Sequence, residues 1–431
     1  MSAEPTPSPD VAVVGLGRVG LPLALSFADR GLRVLGIDRD AERLGAVAAG
    51  RMPFQETGAD ELIGRVHGTG RLTVSERVAD AAQADAIVLT IGTPSFSHIE
   101  IDMRDIRSAL DDLLPHLRPG HAIVLRSTVA PGTTDFVAGY LERQRGLRPG
   151  ADVHVAHVPE RIATGKFLAE IDTLPCIVGA VGGEPSGAHV ARVFECFGAP
   201  IVQTTPVQAE LAKIWANILR YTHFALPNLL MMDCEQYGAN VFEVIDLINR
   251  DYPRGGIAQP GFTAGTCLRK DFTFSEERSN APGMLLAVSR VNESVPHFLV
   301  QGMKRRSPEQ TLNGRKVAVL GLAFKGDTDD ERDSLAHKLV RLLERELADV
   351  AVHDPLVASP TQSLEETLHE ADVVVVAANH AAFEPRATRA AVGALASSDA
   401  LVVDPWNHLG SGQVFAFADE LIPLGVEVER S

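Results

Sequence analysis

Residues 11–38 read VAVVGLGRVGLPLALSFADRGLRVLGID, and this stretch decides the fold. A β-branched run ends at Gly15. Gly15-x-Gly17-x-x-Gly20 follows, and then apolar residues at helical spacing: Leu21, Leu23, Ala24, Phe27 and Ala28. A second short apolar run closes on Asp38, eighteen residues beyond Gly20. A strand, a glycine-rich turn opening a helix, and an acid ending the next strand form the dinucleotide fingerprint in its proper context. The glycines let the backbone approach a pyrophosphate at the helix N-terminus. Asp38 can accept hydrogen bonds from the adenosine ribose and would repel a 2′-phosphate. The pattern predicts NAD over NADP, with Arg39 beside the acid as the one contrary sign. Gly15, Gly17, Gly20 and Asp38 are the candidate cofactor residues.

Outward from this stretch, ADAIVLTIGTP (84–94) and HAIVLRSTV (121–129) read as further buried strands. Strands alternating with helical patterns predict a parallel sheet with helices on both faces. A second series begins near residue 315. KVAVLGLAF (316–324), DVAVHDP (349–355), ADVVVVAANH (371–380) and ALVVDPWN (400–407) echo the first series. The second series lacks G-x-G-x-x-G, so it should not bind a dinucleotide in the same way. Between them, residues 206–238 have few helix breakers and dense apolar residues. They predict one long helix, apolar on most sides and largely buried, with a kink at Pro227. Residues 240–250 and 281–305 also read as helices, and the Gly- and Pro-rich segment between them reads as a loop carrying Cys267. The fold class expected is α/β: two Rossmann-like, doubly wound parallel-sheet domains joined by a long central helix. The expected boundaries are a disordered tail over 1–9 and domains over 10–204, 205–308 and 309–431.

The chain has 431 residues, 56 acidic and 40 basic, for a net charge of −16. At 45% hydrophobic it is an ordinary globular composition, which excludes wholesale disorder. The acidic balance argues against a nucleic-acid partner. MSAEPTPSPD has neither a basic nor an apolar region and does not read as a signal peptide. The most apolar long stretch, 209–232, contains Lys213, Arg220 and His223, which argues against a membrane span. The cytoplasm is the expected compartment. Cys176, Cys196, Cys234 and Cys267 show no C-x-x-C spacing, so neither a metal site nor a disulfide framework is expected.

Three groups of residues suggest chemistry, and each has a plainer reading. Cys176, Cys196 and Cys234 suit small buried hydrophobes. Cys267 lies among glycines with Arg269, Lys270 and Asp271 close by, and positive neighbours favour a reactive thiolate. It is a nucleophile or one more core cysteine. Lys213 and Asn217 share one helix face inside an apolar segment. Lys213 either snorkels or points to a cleft, where the pair would polarise an oxyanion. Glu160, in HVPERIATGK (157–166), is a helix-capping acid or a general base.

Seven segments in order carry a resemblance: VGLGRVGLPLA, IGTP, RSTVAPGTT, VPER, AELAKIWAN, GTCLRKD and VAVLGLAFKGDTDDERDS. From about residue 10 to 425 the chain resembles the UDP-glucose/GDP-mannose dehydrogenase family of nucleotide-sugar 6-dehydrogenases. The resemblance implies oxidation of a sugar C6 alcohol to a carboxylate, with two NAD⁺ used in succession and one water consumed. It implies Cys267 as the nucleophile that forms a thiohemiacetal and then a thioester. Lys213 and Asn217 match the oxyanion pair, and Asp271 matches the carboxylate that orders water and the lysine. Thr128 matches a contact to water near the nicotinamide, and Glu160 matches the base for thioester hydrolysis. Thr93 and Arg332 match cofactor contacts. Lys325, Phe262 and Gly265 match sugar-nucleotide contacts, and Arg254 an arginine sent into a neighbouring subunit's substrate site. A cofactor domain, a central helix that makes a homodimer and a sugar-nucleotide domain complete the implied arrangement.

The sequence also departs from the family pattern. Thr164 stands where many UDP-glucose enzymes carry a second carboxylate. PERIATGK and NRDYPRGGIAQPGF look more like the UDP-N-acetylmannosamine and UDP-N-acetylglucosamine branch. CLRKD keeps a lysine typical of UDP-glucose and GDP-mannose enzymes, with Arg269 where proline is commoner. The base and the hexose therefore stay open. Two alternatives compete with this reading. One is a two-electron hydroxyacid dehydrogenase on a similar scaffold, which needs no cysteine; the other is a non-catalytic NAD-responsive regulator.

Overall fold

The computed structural model describes residues 8–92, 104–263, 265–276 and 283–421. The chain divides into two compact units: residues 1–216 with 273–278, and residues 217–272 with 279–431.

In the first unit the β-branched runs form eight strands: β1 (Val11–Val14), β2 (Val34–Ile37), β3 (Leu72–Ser75), β4 (Ala86–Leu89), β5 (Ala122–Leu125), β6 (His154–His157), β7 (Cys176–Ala180) and β8 (Ile201–Thr204). Their order across the sheet is β3-β2-β1-β4-β5-β6-β7-β8. The reversal of direction between β1/β2 and β1/β4 is the topological switch point of a Rossmann sheet, where such folds bind ligands. All neighbouring pairs are parallel except β6 with β7. Both sheet faces are buried, so alternate residues of β1 enter two different cores. Val11 and Val13 pack with Phe27 and Phe194 on one side; Ala12 and Val14 pack with Leu110 and Leu141 on the other. This two-sided burial explains why the strands read as unbroken apolar runs.

In the second unit β9 (Lys316–Leu320), β10 (Asp349–His353), β11 (Val373–Val376), β12 (Leu401–Val403) and β13 (Phe415–Phe417) make a five-stranded sheet. The order is β10-β9-β11-β12-β13, and only β13 runs antiparallel to its neighbour. The order β10-β9-β11-β12 repeats β2-β1-β4-β5, so the echo in the sequence is a repeat of topology. Val317 and Val319 face one core and Ala318 and Leu320 the other, as in β1.

A helix of 32 residues, Pro206–Tyr237, runs on past Pro227. Two expectations need correction here. The helix is not buried on most sides: Leu211, Trp215, Leu219, Leu226 and Leu229 are exposed along it. The cysteine segment is not wholly a loop: Thr266–Asp271 is a short helix capped by Gly265 at φ +92°. A glycine holds that backbone angle without a Cβ penalty, and this lets the chain turn directly into the helix.

Candidate active site

In the first unit, Gly15 adopts φ +98°, and a Cβ there would meet the Thr90 carbonyl at 3.0 Å. A Cβ on Gly20 would lie 1.8 Å from the Gly15 carbonyl, so the helix Gly20–Asp29 starts this close only with glycine. A Cβ on Gly17 would meet nothing within 4 Å. Two glycines thus close the turn and the third faces open space, the arrangement a pyrophosphate requires. Thr90 ties the turn from beneath, its hydroxyl donating to the Gly15 carbonyl at 2.5 Å.

Asp38 ends β2 and is 8% exposed. Its Oδ2 accepts from the Leu16 N–H at 2.7 Å and from Arg43 Nη1 at 2.9 Å; its Oδ1 accepts from the Asp40 N–H at 3.0 Å. Burial acts to raise the pKa of this carboxyl, but the Asp40, Leu16 and Arg43 hydrogen bonds outweigh it and leave the group lowered. The dinucleotide site therefore fits NAD: a glycine open to solvent at the helix start and an ionised acid at the end of β2. Arg43 was not singled out by sequence. Its signal was present: it follows Asp40, which caps the helix Ala41–Ala48 and accepts from the Arg43 N–H. Thr93 lies outside the described residues.

Thr128 is half-buried between β5 and the helix Thr133–Arg145. Its loop is clamped by Glu210, a fully buried residue of the long helix that sequence reasoning passed over. The Glu210 carboxylate accepts from the Gly132 N–H at 2.7 Å, the Thr134 N–H at 2.8 Å and the Thr134 hydroxyl at 2.6 Å. Burial raises its pKa in spite of these bonds. Glu160 is also buried, paired at 2.6 Å with Arg126, which is itself buried. Its other oxygen accepts from the Ile162 N–H at 2.8 Å, and the next helix, Phe167–Glu170, begins seven residues on. Lys213 is buried and forms no ion pair among the described residues. His157, fully buried, has its pKa lowered to about 4 by burial, with the nearby Arg126 and Lys213 charges adding to the effect.

In the second unit, Cys267 is exposed in the first turn of its helix. Asp271, at the other end of that helix, is fully buried and accepts from Asn217 Nδ2 at 2.5 Å. The cysteine helix is thereby pinned to the long helix at Asn217. A Cβ on Gly265 would meet the Phe324 ring at 2.8 Å, so the cysteine turn sits directly on the LAFK segment. Arg332 grips Asp330 through two bonds of 2.8 and 2.7 Å. That bond raises the guanidinium pKa, and the charge of Cys267 adds to the rise. The structure thus brings together Cys267, Asn217, Asp271, Gly265 and Arg332. Lys325 is half-buried on the same LAFK segment. Phe262 is a core residue, packed with Met231 and Leu299. Arg254 is exposed, its guanidinium 5.6 Å from the Tyr252 ring centre. Arg269 reaches Glu293 at 2.5 Å and the Asp333 carbonyl at 3.1 Å.

Three consecutive segments match the UDP-glucose/GDP-mannose dehydrogenase family: its NAD binding domain over residues 9–198, its central domain over 207–294 and its UDP binding domain over 318–411. UDP-N-acetyl-D-mannosamine dehydrogenase of Pyrococcus horikoshii is 33% identical over 87% of this chain and 90% of its own length. The chain belongs to the UDP-glucose/GDP-mannose dehydrogenase family. This dehydrogenase is also 31% identical to NDP-N-acetyl-D-galactosaminuronic acid dehydrogenase of Ralstonia solanacearum, over 86% of this chain and 91% of that one. The solved structure of a UDP-D-ManNAc dehydrogenase from Pyrococcus horikoshii superposes with a TM-score of 0.85 at 31% identity, covering 92% of this chain and 95% of its own. The chain is accordingly an NAD-dependent oxidoreductase of nucleotide-sugar CH–OH groups. Among the described residues no helix is long and apolar enough to cross a membrane.

Proposed function

We propose that this dehydrogenase oxidises the C6 alcohol of a UDP-N-acetylhexosamine, of the N-acetylmannosamine type, to the uronic acid. The observation that carries the reading is the Asn217–Asp271 hydrogen bond, which locks the exposed Cys267 turn against Asn217. Two relatives named for N-acetylated sugars, and Thr164 in place of a second carboxylate, support an N-acetylhexosamine over glucose.

NAD⁺, when bound along Gly15–Gly20 and Asp38, accepts one hydride in each half-reaction. Lys213 and Asn217 stabilise the developing C6 oxyanion. The Cys267 thiolate adds to the C6 aldehyde and keeps it from escaping as a free intermediate. Loss of the second hydride leaves a thioester on Cys267. Glu160 and the Thr128 loop order the water that hydrolyses it, releasing the carboxylate and restoring the thiol. In balance, one alcohol, one water and two NAD⁺ give one carboxylate, two NADH and three protons. Residues 10–204 hold the cofactor, 205–308 carry the cysteine and the dimer contact, and 309–431 hold the sugar nucleotide through Lys325. The exposed apolar face of the long helix is the homodimer contact, and Arg254 reaches the neighbouring subunit's substrate.

The test is a panel of UDP-N-acetylmannosamine, UDP-N-acetylglucosamine, UDP-glucose, dTDP-glucose and GDP-mannose, scored as NADH formed per sugar consumed. A ratio of two with a UDP-N-acetylhexosamine is expected. Cys267→Ser should then stop acid formation after the first oxidation; undiminished acid formation would reject the covalent route.

A further inference from the structure

The second unit repeats the opening turn of the first down to its hydrogen bonds. Gly321 adopts φ +99° where Gly15 has +98°. The Gly321 N–H donates to the His353 carbonyl at 2.8 Å, as Gly15 does to Ile37 at 2.7 Å. The Leu322 N–H donates to Asp354 Oδ2 at 2.6 Å, as Leu16 does to Asp38 Oδ2 at 2.7 Å. Asp354 is thus the counterpart of Asp38, at the end of the corresponding strand.

From this point the two units diverge. The Asp354 side chain is fully buried, and both oxygens are taken. Oδ2 also accepts from the Ala323 N–H at 3.0 Å and is 3.1 Å from His380 Nε2; Oδ1 accepts from the Leu356 N–H at 2.9 Å. Asp38 also has donors on both oxygens but keeps some exposed surface, whereas Asp354 has none left for a ribose. Burial works to raise the Asp354 pKa, but the bonds from His380, Leu322 and Leu356 prevail and leave it lowered. The opposite edge of the His380 ring, Nδ1, accepts from the backbone N–H of Asp327 at 2.9 Å. These partners assign the tautomer: the proton sits on Nε2, which donates to Asp354.

Asp327 is in the left-handed region, at φ +56°. A non-glycine residue keeps that conformation only when its surroundings fix it. Here they do. Asp327 Oδ1 accepts from the Ala381 N–H at 2.7 Å, and the Gly326 N–H donates to Asn379 Oδ1 at 3.2 Å. A Cβ on Gly326 would lie 2.4 Å from the Asn379 carbonyl. Residues 326–327 are therefore clamped onto residues 379–381, directly after Lys325.

We propose that Asp354, His380 and Asn379 are positioning residues that fix the backbone under Lys325, turning a second dinucleotide turn into a rigid mount for a sugar-nucleotide ligand. This rests on the reading that Lys325 contacts the sugar nucleotide. A lysine on a long flexible stem loses less entropy on binding when its own backbone is already held in place.

The experiment is calorimetric titration of UDP-N-acetylmannosamine, without NAD, into full-length Lys325→Ala, Asn379→Ala, His380→Gln and the double variant Lys325→Ala/Asn379→Ala. NAD affinity and melting temperature are measured on each. Lys325→Ala, Asn379→Ala and His380→Gln should each weaken the sugar nucleotide by about tenfold, with NAD affinity unchanged. The double variant should bind no more weakly than Lys325→Ala, because Asn379 acts through the lysine. Losses that add in the double variant, or normal binding by Asn379→Ala, would overturn the proposal while leaving the role of Lys325 intact. Normal binding by Lys325→Ala would overturn the role of Lys325 and the proposal with it. Asn379 is half-buried, so its variant stays informative if His380→Gln does not fold.

Discussion

Asp38 holds its own neighbourhood together and offers a carboxylate to the cofactor. Three donors converge on it, and one is the charged Arg43. Asp38→Ala should raise the KM for NAD about 10–100-fold, the equivalent of a charged hydrogen bond of ~1.5–3 kcal/mol. The KM for the sugar nucleotide should stay unchanged, and steady-state kinetics that moved both alike would defeat the ribose assignment. His157 makes a different prediction, about stability. Unfolded, the ring titrates near 6.5; folded, near 4. Between these values the unfolded chain binds the extra proton, so stability is whole above pH 6.5 and falls as the pH drops toward 4. The loss is about 3 kcal/mol over that window. Carboxylates lowered by their partners, such as Asp38, add a loss of the same sign at lower pH. The comparison that isolates the imidazole is melting temperature at pH 7 and pH 4.5 for wild type and His157→Asn. The wild type should lose more on acidification, and parallel losses would discard the assignment.

Glu210 links two elements, the long helix and the helix Thr133–Arg145, and its loss should show at that scale. Glu210→Ala leaves the buried Thr134 N–H unpaired, at about 1–3 kcal/mol, and the half-buried Gly132 N–H without its carboxylate. A fall in melting temperature together with a lower kcat is expected, since the same bonds fix the Thr128 loop; unchanged values of both would show that water or another group replaces the clamp. Such links mark where the sequence stopped being legible. The Gly15–Asp38 turn could be read because its three glycines and its acid lie within one strand–helix–strand unit, although Thr90 and Arg43 support it from outside that unit. The pairing of Arg126 with Glu160 spans 34 residues, and no spacing rule connects them. Glu210 stands in AELAKIWAN, yet nothing in that segment says that its partner is a helix N-terminus. The cysteine helix was missed for the opposite reason. Its six residues are too few to show a period, and the glycines around it read as loop until Gly265 is seen to be its cap. The long helix was legible in extent and not in exposure, because an apolar face looks the same whether its own chain or another copy covers it.

That last ambiguity is a property of the whole molecule. Leu211, Trp215 and Leu219 recur every fourth residue, and Leu226 and Leu229 continue the face. Trp215 is 51% exposed, Leu219 56% and Leu226 52%, so the apolar stripe is uncovered in the single chain. A continuous patch of this kind on a helix marks a surface that another body covers. A second copy of the same helix is the simplest complement, since a twofold axis brings each leucine against the same stripe on its partner. The wild type should therefore sediment as a dimer. In Leu219→Glu/Leu226→Glu, four leucines per dimer would be lost from the contact, and four like charges would be gathered around the twofold axis. Each leucine is already about half covered in the single chain, so burying the rest of all four contributes about 3–6 kcal/mol, against about 12 kcal/mol for a nanomolar Kd. The double variant should sediment as a monomer at micromolar concentration. Both residues are exposed in the isolated chain, so the fold of the protomer should survive, as shown by retained NAD binding. A monomeric wild type would reject the dimer, and a double variant that still pairs would move its contact away from this helix.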